Sequence, residues 1–332
     1  MTTTREIAQQ MTTFGKGILA ADESIGTMSA RLEAAGVTPT AQSRRDYREL
    51  LVAAADLADG VSGIIFCDET LHQTFADGTP FPEACRARGI LPGIKVDTGA
   101  KPCPGLPGET ITEGLDGLAG RLAAYAEVGA AFAKWRAVFT ITDTTPTRGA
   151  IVANANALAR YAAACQVAGL VPIVEPEVLM AGSHTIDRCA EVTAAVHETV
   201  REHLALLNVD LAGIVLKPNM VTEGEDNAQT CAPAEVAAAT VEVLNRWPAD
   251  LAGVAFLSGG QPPQRATANL AAMQSHHTPW PLTFSFGRAL VSPALTAWRG
   301  DEDRVRDGQA ALSEHVSANA AAVRMRGQLQ PV

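Results

Sequence analysis

The sequence lacks the features that mark several large classes of protein. It has no uninterrupted apolar run near the ~20 residues of a membrane span, and its first residues lack the apolar core of a signal peptide. None of its six cysteines forms a C-x-x-C pair, which argues against a zinc ribbon and for reduced thiols. We therefore expect a cytoplasmic protein without a membrane segment.

Basic runs are missing as well. The net charge is -10, so nucleic acid and anionic membrane surfaces are poor candidates for partners. No G-x-G-x-x-G follows an apolar run that could be a strand, so a dinucleotide site has no support. With 47% hydrophobic residues, the chain has enough apolar material for a large globular core.

Eight short apolar runs recur at intervals of roughly 35–40 residues, and most are followed by a segment with helical composition. This alternation predicts right-handed βαβ units around a parallel sheet. Eight such units predict a closed (β/α)8 TIM barrel of the α/β class. The predicted strands are 17–22, 60–67, 89–97, 131–139, 169–179, 213–217, 253–260 and 281–288.

A short helix is predicted at the N-terminus. Further segments of helical composition lie at 29–35, 41–58, 117–129, 150–168, 185–207, 233–246, 263–275 and 293–326. The Gly/Pro-rich residues 98–117 predict a long loop. No shift in composition marks a boundary. We therefore expect a single barrel domain over residues 1–332, with an N-terminal helix and a C-terminal helical tail.

Lys217 ends the sixth predicted strand. Three apolar residues precede it and Pro218 follows, so its side chain is expected at the carboxyl end of a buried strand. Loss of hydration there favours the neutral amine, the form that attacks a carbonyl to give a Schiff base. The alternative is a lysine whose amine extends into solvent.

Polar residues end most of the other predicted strands, and this edge of a barrel carries its active site. Within the pairs 134/136 and 175/177, a spacing of two directs both side chains to one face. Five cations oppose three anions, which in an acidic protein suggests an anionic, most simply a phosphorylated, substrate. These residues are Asp22, Lys95, Lys134, Arg136, Glu175, Glu177, Lys217 and Arg288.

Two phosphate sites are predicted. Ser258 and Gly259 follow the seventh strand and Gly287 and Arg288 end the eighth, where barrels often bind phosphate. The second combines Ser24, Thr27 and Lys95. Turn and helix-cap chemistry is an equal alternative for Ser24 and Thr27 alone.

No metal site is expected. Glu69 and His72 form an E-x-x-H half-site, but the sequence contains no second copy that could complete it.

Seven motifs, in order, resemble class I fructose-1,6-bisphosphate aldolases over about residues 5–300. They are GKGILAADES (15–24), GIKVD (93–97), FAKWR (132–136), VPIVEPE (171–177), LKPNMVT (216–222), FLSGGQ (256–261) and TFSFGRAL (283–290). The resemblance implies reversible cleavage of fructose 1,6-bisphosphate through a lysine Schiff base, in glycolysis, with no metal or other cofactor.

The resemblance also implies roles for individual residues. Lys217 matches the Schiff-base lysine and Glu175 the acid/base that moves protons during imine formation. Lys134 matches the cation that keeps the lysine amine neutral, and Asp22 the carboxylate near the C4 hydroxyl. Glu177 and Arg136 match residues that orient this set.

For the phosphates, the resemblance assigns Ser258, Gly259, Gly287 and Arg288 to the C1 phosphate. It assigns Ser24, Thr27 and Lys95 to the C6 phosphate. The expected partner is a sugar phosphate, not nucleic acid or a membrane. A homo-oligomer is also implied, and tetramers are common in the family.

The sequence departs from the family at several positions. Thr27 stands where serine is usual, Ala30 where lysine is common, and Phe286 where tyrosine is usual. Vertebrate members end in a mobile tail with a terminal tyrosine, whereas no tyrosine follows Tyr161 here. Either another group assists proton exchange on the enamine or that step is slower.

Two other functions stay open from the sequence. One is a different Schiff-base aldolase acting on a related sugar phosphate, although a monophosphate would need only one of the two phosphate sites. The other is a non-catalytic barrel that binds sugar phosphates.

Overall fold

A computed structural model describes residues 2–326 of the chain. Eight parallel strands close into a barrel, so the predicted (β/α)8 fold is confirmed. The barrel strands are β1 (Gly17–Ala21), β2 (Val61–Phe66), β3 (Leu91–Lys95), β6 (Phe132–Phe139), β7 (Val171–Val178), β8 (Val215–Leu216), β9 (Gly253–Phe256) and β10 (Leu282–Phe286). They are hydrogen-bonded in the order β1-β10-β9-β8-β7-β6-β3-β2. The remaining strands, β4 (Gly99–Pro102) and β5 (Thr110–Glu113), form an antiparallel pair.

The strands are buried on both faces, which explains why they read as continuous apolar runs. Successive side chains of β1 enter different cores: Ile18 packs inside the barrel, and Leu19 packs under the helices. The Phe132 ring fills the barrel interior against Gly93, where an added Cβ would lie 2.2 Å from the ring. This close approach requires glycine at position 93.

Helices precede, separate and follow the barrel strands along the chain. They are α1 (Thr4–Met11), α2 (Ile25–Ala34), α3 (Ala41–Val52), α4 (Leu57–Gly60), α5 (Asp68–Leu71), α6 (Phe81–Ala87), α7 (Leu118–Glu127), α8 (Arg148–Val167), α9 (Ile186–Leu206), α10 (Pro233–Leu244), α11 (Pro263–Met273), α12 (Arg288–Trp298) and α13 (Val305–Arg324). Short 3-10 turns occupy Leu211–Gly213 and Glu302–Arg304. No helix among residues 2–326 has both the length and the apolar character required to span a bilayer.

Two predicted helices are interrupted in the structure. The predicted helix 41–58 is divided into α3 and α4, and the predicted tail 293–326 is divided into α12, a 3-10 turn and α13. In the tail, Arg299 and Gly300 adopt positive φ and end α12. The part of the expected tail beyond Arg326 lies outside the described residues.

The predicted loop 98–117 was wrong in part, because it contains the β4–β5 hairpin. The side chain of Asn154, on α8, accepts a hydrogen bond from the Thr112 N–H at 3.0 Å. The same amide donates to the Thr110 carbonyl at 2.9 Å. A side chain distant in sequence therefore pairs with the backbone N–H and C=O groups of β5. A contact of this kind cannot be predicted from the local sequence.

Candidate active site

A cavity of about 420 Å³ opens at the carboxyl ends of the barrel strands. Its lining includes every residue that the sequence assigned to a catalytic or phosphate-binding role. They are Asp22, Ser24, Thr27, Lys95, Lys134, Arg136, Glu175, Glu177, Lys217, Ser258, Gly259, Gly287 and Arg288. These residues come from seven of the eight barrel strands or the segments that follow them, and barrel closure brings them to one place.

Four charged side chains form a continuous chain at the centre of the cavity. The Nζ atom of Lys217 lies 3.1 Å from Oε1 of Glu175. The other carboxylate oxygen of Glu175 lies 3.2 Å from Nζ of Lys134. Lys134 in turn places the same Nζ atom 2.7 Å from Oδ2 of Asp22.

The Lys217 side chain does not extend into solvent, since the residue is only 3% exposed. Its backbone N–H donates to the Val174 carbonyl of β7 at 2.8 Å, which continues the ladder one residue past β8. Lys217 is thereby held beside the strand that carries Glu175. The amine is enclosed and within reach of a proton carrier.

Neighbouring charges keep the side chains of Asp22, Glu175 and Lys134 ionised. Burial opposes the charge on Asp22, but the Lys134 and Lys217 ammonium groups outweigh it and lower its pKa to about 2. Burial also opposes the charge on Glu175, yet Lys134, Lys217 and Arg136 lower its pKa. For Lys134, burial is outweighed by Asp22 and Glu175, and its pKa is raised well above that of a free lysine.

A second ion pair lies at the mouth of the cavity. The Nε atom of Arg136 is 2.5 Å from Oε2 of Glu177, and Arg136 is paired in register with Glu175. The pKa of Arg136 is raised because Glu177, then Glu175, outweigh the effect of burial. As the spacing of two predicted, Lys134 and Arg136 both face the cavity.

The remaining predicted residues divide between two sides of the barrel. Ser258 and Gly259 follow β9, and Gly287 and Arg288 follow β10, which is paired with β9. Arg288 is exposed and lies over the neighbouring glycine turn, where an added Cβ on Gly260 would be 3.3 Å from its guanidinium. Backbone N–H groups and a guanidinium together form a site that suits a phosphate.

The other side is built by β1 and β3. Ser24 is the N-cap of α2, where its Oγ accepts from the Thr27 N–H at 3.3 Å. The two hydroxyls are 3.0 Å apart and both line the cavity, so capping and cavity lining coexist. Lys95 Nζ lies 2.9 Å from the Asp97 carboxylate.

Sequence reasoning missed four polar residues that line the cavity: Glu23, Arg31, Asp97 and Ser285. Spacing could have found three of them. Arg31 follows Thr27 by four residues on α2, Asp97 follows Lys95 by two, and Ser285 precedes Gly287 by two. The Ser285 hydroxyl is buried without a hydrogen-bond partner in the described part of the chain.

The E-x-x-H half-site has another explanation. Both carboxylate oxygens of Glu69 accept from the guanidinium of Arg44, at 2.6 and 2.7 Å. Among residues 2–326, no group of three or more His, Cys, Asp or Glu side chains could hold a metal ion.

A barrel whose cavity holds an enclosed lysine beside a carboxylate has the groups that a lyase of the Schiff-base type requires. The profile of the family "Fructose-bisphosphate aldolase class-I" matches residues 4–330. The fructose-bisphosphate aldolase C-B of Danio rerio is 48% identical over 322 residues, which cover 96% of this chain and 89% of that protein. A "Probable fructose-bisphosphate aldolase class 1" of Xanthomonas axonopodis pv. citri is 50% identical over 298 residues, 89% of each chain.

Solved structures agree with these sequence matches. A fructose-bisphosphate aldolase from Plasmodium falciparum, solved with TRAP and a small-molecule inhibitor, superposes with a TM-score of 0.95 at 41% identity. The match covers 99% of this chain and 95% of that one. The chain belongs to the class I fructose-bisphosphate aldolase family and is a carbon–carbon lyase.

Proposed function

We propose that this chain reversibly cleaves fructose 1,6-bisphosphate to dihydroxyacetone phosphate and glyceraldehyde 3-phosphate, with Lys217 as the Schiff-base residue. The observation that carries the assignment is the enclosed Nζ atom of Lys217, 3.1 Å from Glu175 at the centre of the cavity. A neutral amine there attacks the C2 carbonyl of the ketose to form a carbinolamine. Loss of water then leaves a protonated imine.

Glu175 moves the protons of these steps. As a carboxylate in contact with Lys217, it first takes a proton from the Lys217 ammonium and so frees the amine for attack. After the amine has added, one of its protons moves to the carbonyl oxygen, and Glu175 then gives its own proton to the resulting hydroxyl, which leaves as water. Lys134 touches the other oxygen of Glu175 and stays charged, because Asp22 and Glu175 raise its pKa. One carboxylate therefore serves both the addition of the amine and the loss of water.

Asp22 acts at the next step. Its carboxylate accepts the proton of the C4 hydroxyl as the C3–C4 bond breaks and glyceraldehyde 3-phosphate leaves. The electrons of that bond move into the protonated imine, which becomes a neutral enamine. Protonation at C3 and hydrolysis of the imine then release dihydroxyacetone phosphate and restore the lysine. In this scheme the imine accepts the electrons, and no metal is required.

The two polar sides of the cavity hold the two phosphates. Ser258, Gly259, Gly287 and Arg288 would bind the C1 phosphate beside Lys217, and Ser24, Thr27 and Lys95 the C6 phosphate. A monophosphate would leave one of these sides without a charged partner. A protein that only binds sugar phosphates would not need the buried lysine–carboxylate chain.

Borohydride reduction tests the assignment directly. We expect reduction in the presence of dihydroxyacetone phosphate to leave a stable adduct that peptide mapping locates on Lys217. An adduct on another lysine would overturn the role of Lys217. In parallel, EDTA should leave the cleavage rate unchanged, and a rate restored only by a divalent metal would overturn the metal-independent mechanism.

We also propose that the described elements form one domain. The buried side chains of Leu312 and Val316, on α13, belong to the same apolar cluster as barrel residues such as Leu19. All six cysteines are free, which suits a cytoplasmic location.

A homo-oligomer is proposed from the resemblance to the family, in which tetramers are common. Val167 and Leu206, at the ends of α8 and α9, are 91% and 74% exposed and are candidates for the contact between copies. Light scattering on the purified protein should show more than one copy per particle, and a monomer would contradict this proposal.

A further inference from the structure

Asp22 lies on a very short connection. Strand β1 ends at Ala21 and helix α2 begins at Ile25, so three residues join them. The carboxylate of Asp22 must nevertheless hold a fixed place, because Lys134 contacts it at 2.7 Å from the opposite side of the cavity. Other contacts must therefore hold this connection in place while the neighbouring lysines attract the carboxylate.

One buried guanidinium grips the connection on both sides of Asp22. Arg48, on α3, donates from Nε to the Ala21 carbonyl at 2.9 Å. Its second nitrogen donates to the Glu23 carboxylate at 2.8 Å and approaches the Glu23 carbonyl at 3.5 Å. Asp22 is therefore bracketed by contacts to the residue before it and the residue after it.

The guanidinium is itself held in place. Arg48 is 1% exposed and lies 5.8 Å from the ring centroid of Tyr47. Tyr47 donates its hydroxyl to the Val291 carbonyl, which ties α3 to α12. A buried ion pair adds little net stability, because the loss of hydration offsets the attraction. The fixed orientation of the fork is the more specific consequence of this arrangement.

We propose that Arg48 is a positioning residue that sets the carboxylate of Asp22 for the bond-breaking step. The inference rests on the role proposed for Asp22 above. Arg48 itself touches no substrate atom in this scheme and acts through the backbone of Ala21 and the side chain of Glu23. A displacement of about 1 Å at a reacting group can lower a rate by roughly 100-fold.

The scheme separates two readouts. Trapping of dihydroxyacetone phosphate on Lys217 by borohydride needs the amine and Glu175 but no C4 hydroxyl. Cleavage of fructose 1,6-bisphosphate also needs Asp22. A variant that displaces only Asp22 should therefore lose cleavage and keep trapping, whereas a variant that damages the whole barrel should lose both.

The variants are Arg48→Met, Arg48→Lys and, as the matched control, Arg44→Met. Arg44 lies on the same helix and pairs with Glu69 at 2.6 Å, away from the cavity. We expect Arg48→Met to lower kcat for cleavage roughly 10- to 100-fold, while the trapping rate changes less than about twofold. Arg48→Lys, which keeps the charge but not the fork, should fall between this variant and the wild type.

A double-mutant cycle tests whether the effect passes through Asp22. In an Asp22→Asn background, Arg48→Met should cause little further loss of cleavage. Parallel loss of trapping and cleavage in both Arg48 variants, an equal loss in Arg44→Met, or full additivity with Asp22→Asn would each overturn the inference. If Arg48→Met does not fold, the cleavage and trapping rates of Arg48→Lys are compared with those of Arg44→Met, and the same outcomes decide the inference.

The cycle also separates this inference from the function proposed above. If Asp22→Asn retains wild-type cleavage, the proposed role of Asp22 fails and the inference about Arg48 fails with it. If Asp22→Asn loses cleavage but Arg48→Met cleaves as fast as Arg44→Met, only the inference about Arg48 fails.

Discussion

The carboxylate of Glu175 bridges two lysines, with one oxygen 3.1 Å from Nζ of Lys217 and the other 3.2 Å from Nζ of Lys134. All three residues are at most 4% exposed. Because the trio is enclosed, the neighbouring charges strongly influence which of its members holds a proton. This arrangement gives the proposed mechanism its most direct tests.

Glu175→Gln should remove the proton carrier and keep the shape of the site. We expect kcat and the rate of borohydride trapping with dihydroxyacetone phosphate to fall together, by roughly 10²- to 10⁴-fold. Glu69→Gln is the matched control, because Glu69 pairs with Arg44 outside the cavity. Retention of more than about a third of wild-type kcat in Glu175→Gln would exclude Glu175 as the acid/base.

The two phosphate sites should respond differently to substrate length. Arg288→Ala should raise KM for fructose 1,6-bisphosphate and weaken the binding of dihydroxyacetone phosphate. Both molecules carry the phosphate that is assigned to Arg288. Lys95→Met should raise only the KM for the bisphosphate. Each loss should be on the order of 10-fold or more, as expected for a charge-assisted hydrogen bond. Steady-state kinetics and concentration-dependent trapping measure the two effects, and identical behaviour of the two variants would reject the assignment of the ends.

Acid should weaken the fold through Asp22. Its pKa of about 2 lies below the ordinary value of 3.8, so the unfolded chain binds its proton first as the pH falls. The stability that the carboxylate contributes is full above pH 3.8 and is lost as the pH falls towards 2. In that window the free energy of unfolding should fall by at most about 1.4 kcal/mol per pH unit from this group. Urea unfolding of wild type and Asp22→Asn checks it, and equal pH slopes would contradict the prediction.

Gly93→Ala should destabilise the barrel. An added Cβ would lie 2.2 Å from the Phe132 ring, which is fully buried inside the barrel. We expect a loss of about 1–3 kcal/mol in the free energy of unfolding, or more if the ring cannot shift. Gly120→Ala, on α7 with nothing within 4 Å of the new Cβ, is the control and should be neutral or stabilising. Equal midpoints of denaturation for the two variants would be inconsistent with this packing.

Local patterns were sufficient for the barrel and for much of its site. Barrel strands such as β1 and β2 are buried on both faces, so their apolar runs stand out from the Ala-rich helices around them. A charged residue at the end of such a run, as at Lys217, is visible because the neighbouring positions are apolar. Placement at the carboxyl edge then follows from the parallel order of the strands.

Other features escaped the sequence for identifiable reasons. The β4–β5 hairpin depends on hydrogen bonds to Asn154, which is more than forty residues away in sequence. Its short strands also lie in a Gly/Pro-rich segment, a composition that predicts a loop. The break between α3 and α4 falls in residues whose composition resembles the helices on either side. Arg48 carries no local signal, because its partners Ala21 and Glu23 lie more than twenty residues earlier.

The sequence by itself determined the eight-unit barrel and which polar residues stand at its open edge, since both follow from apolar runs that recur along the chain and mostly end in polar residues. Only the tertiary structure decided which of these charges touch. Lys134 pairs with Asp22 and Glu175 because closure of the barrel brings β1, β6 and β7 around one cavity. Pairing of this kind depends on distances across the barrel, and a linear pattern does not contain them.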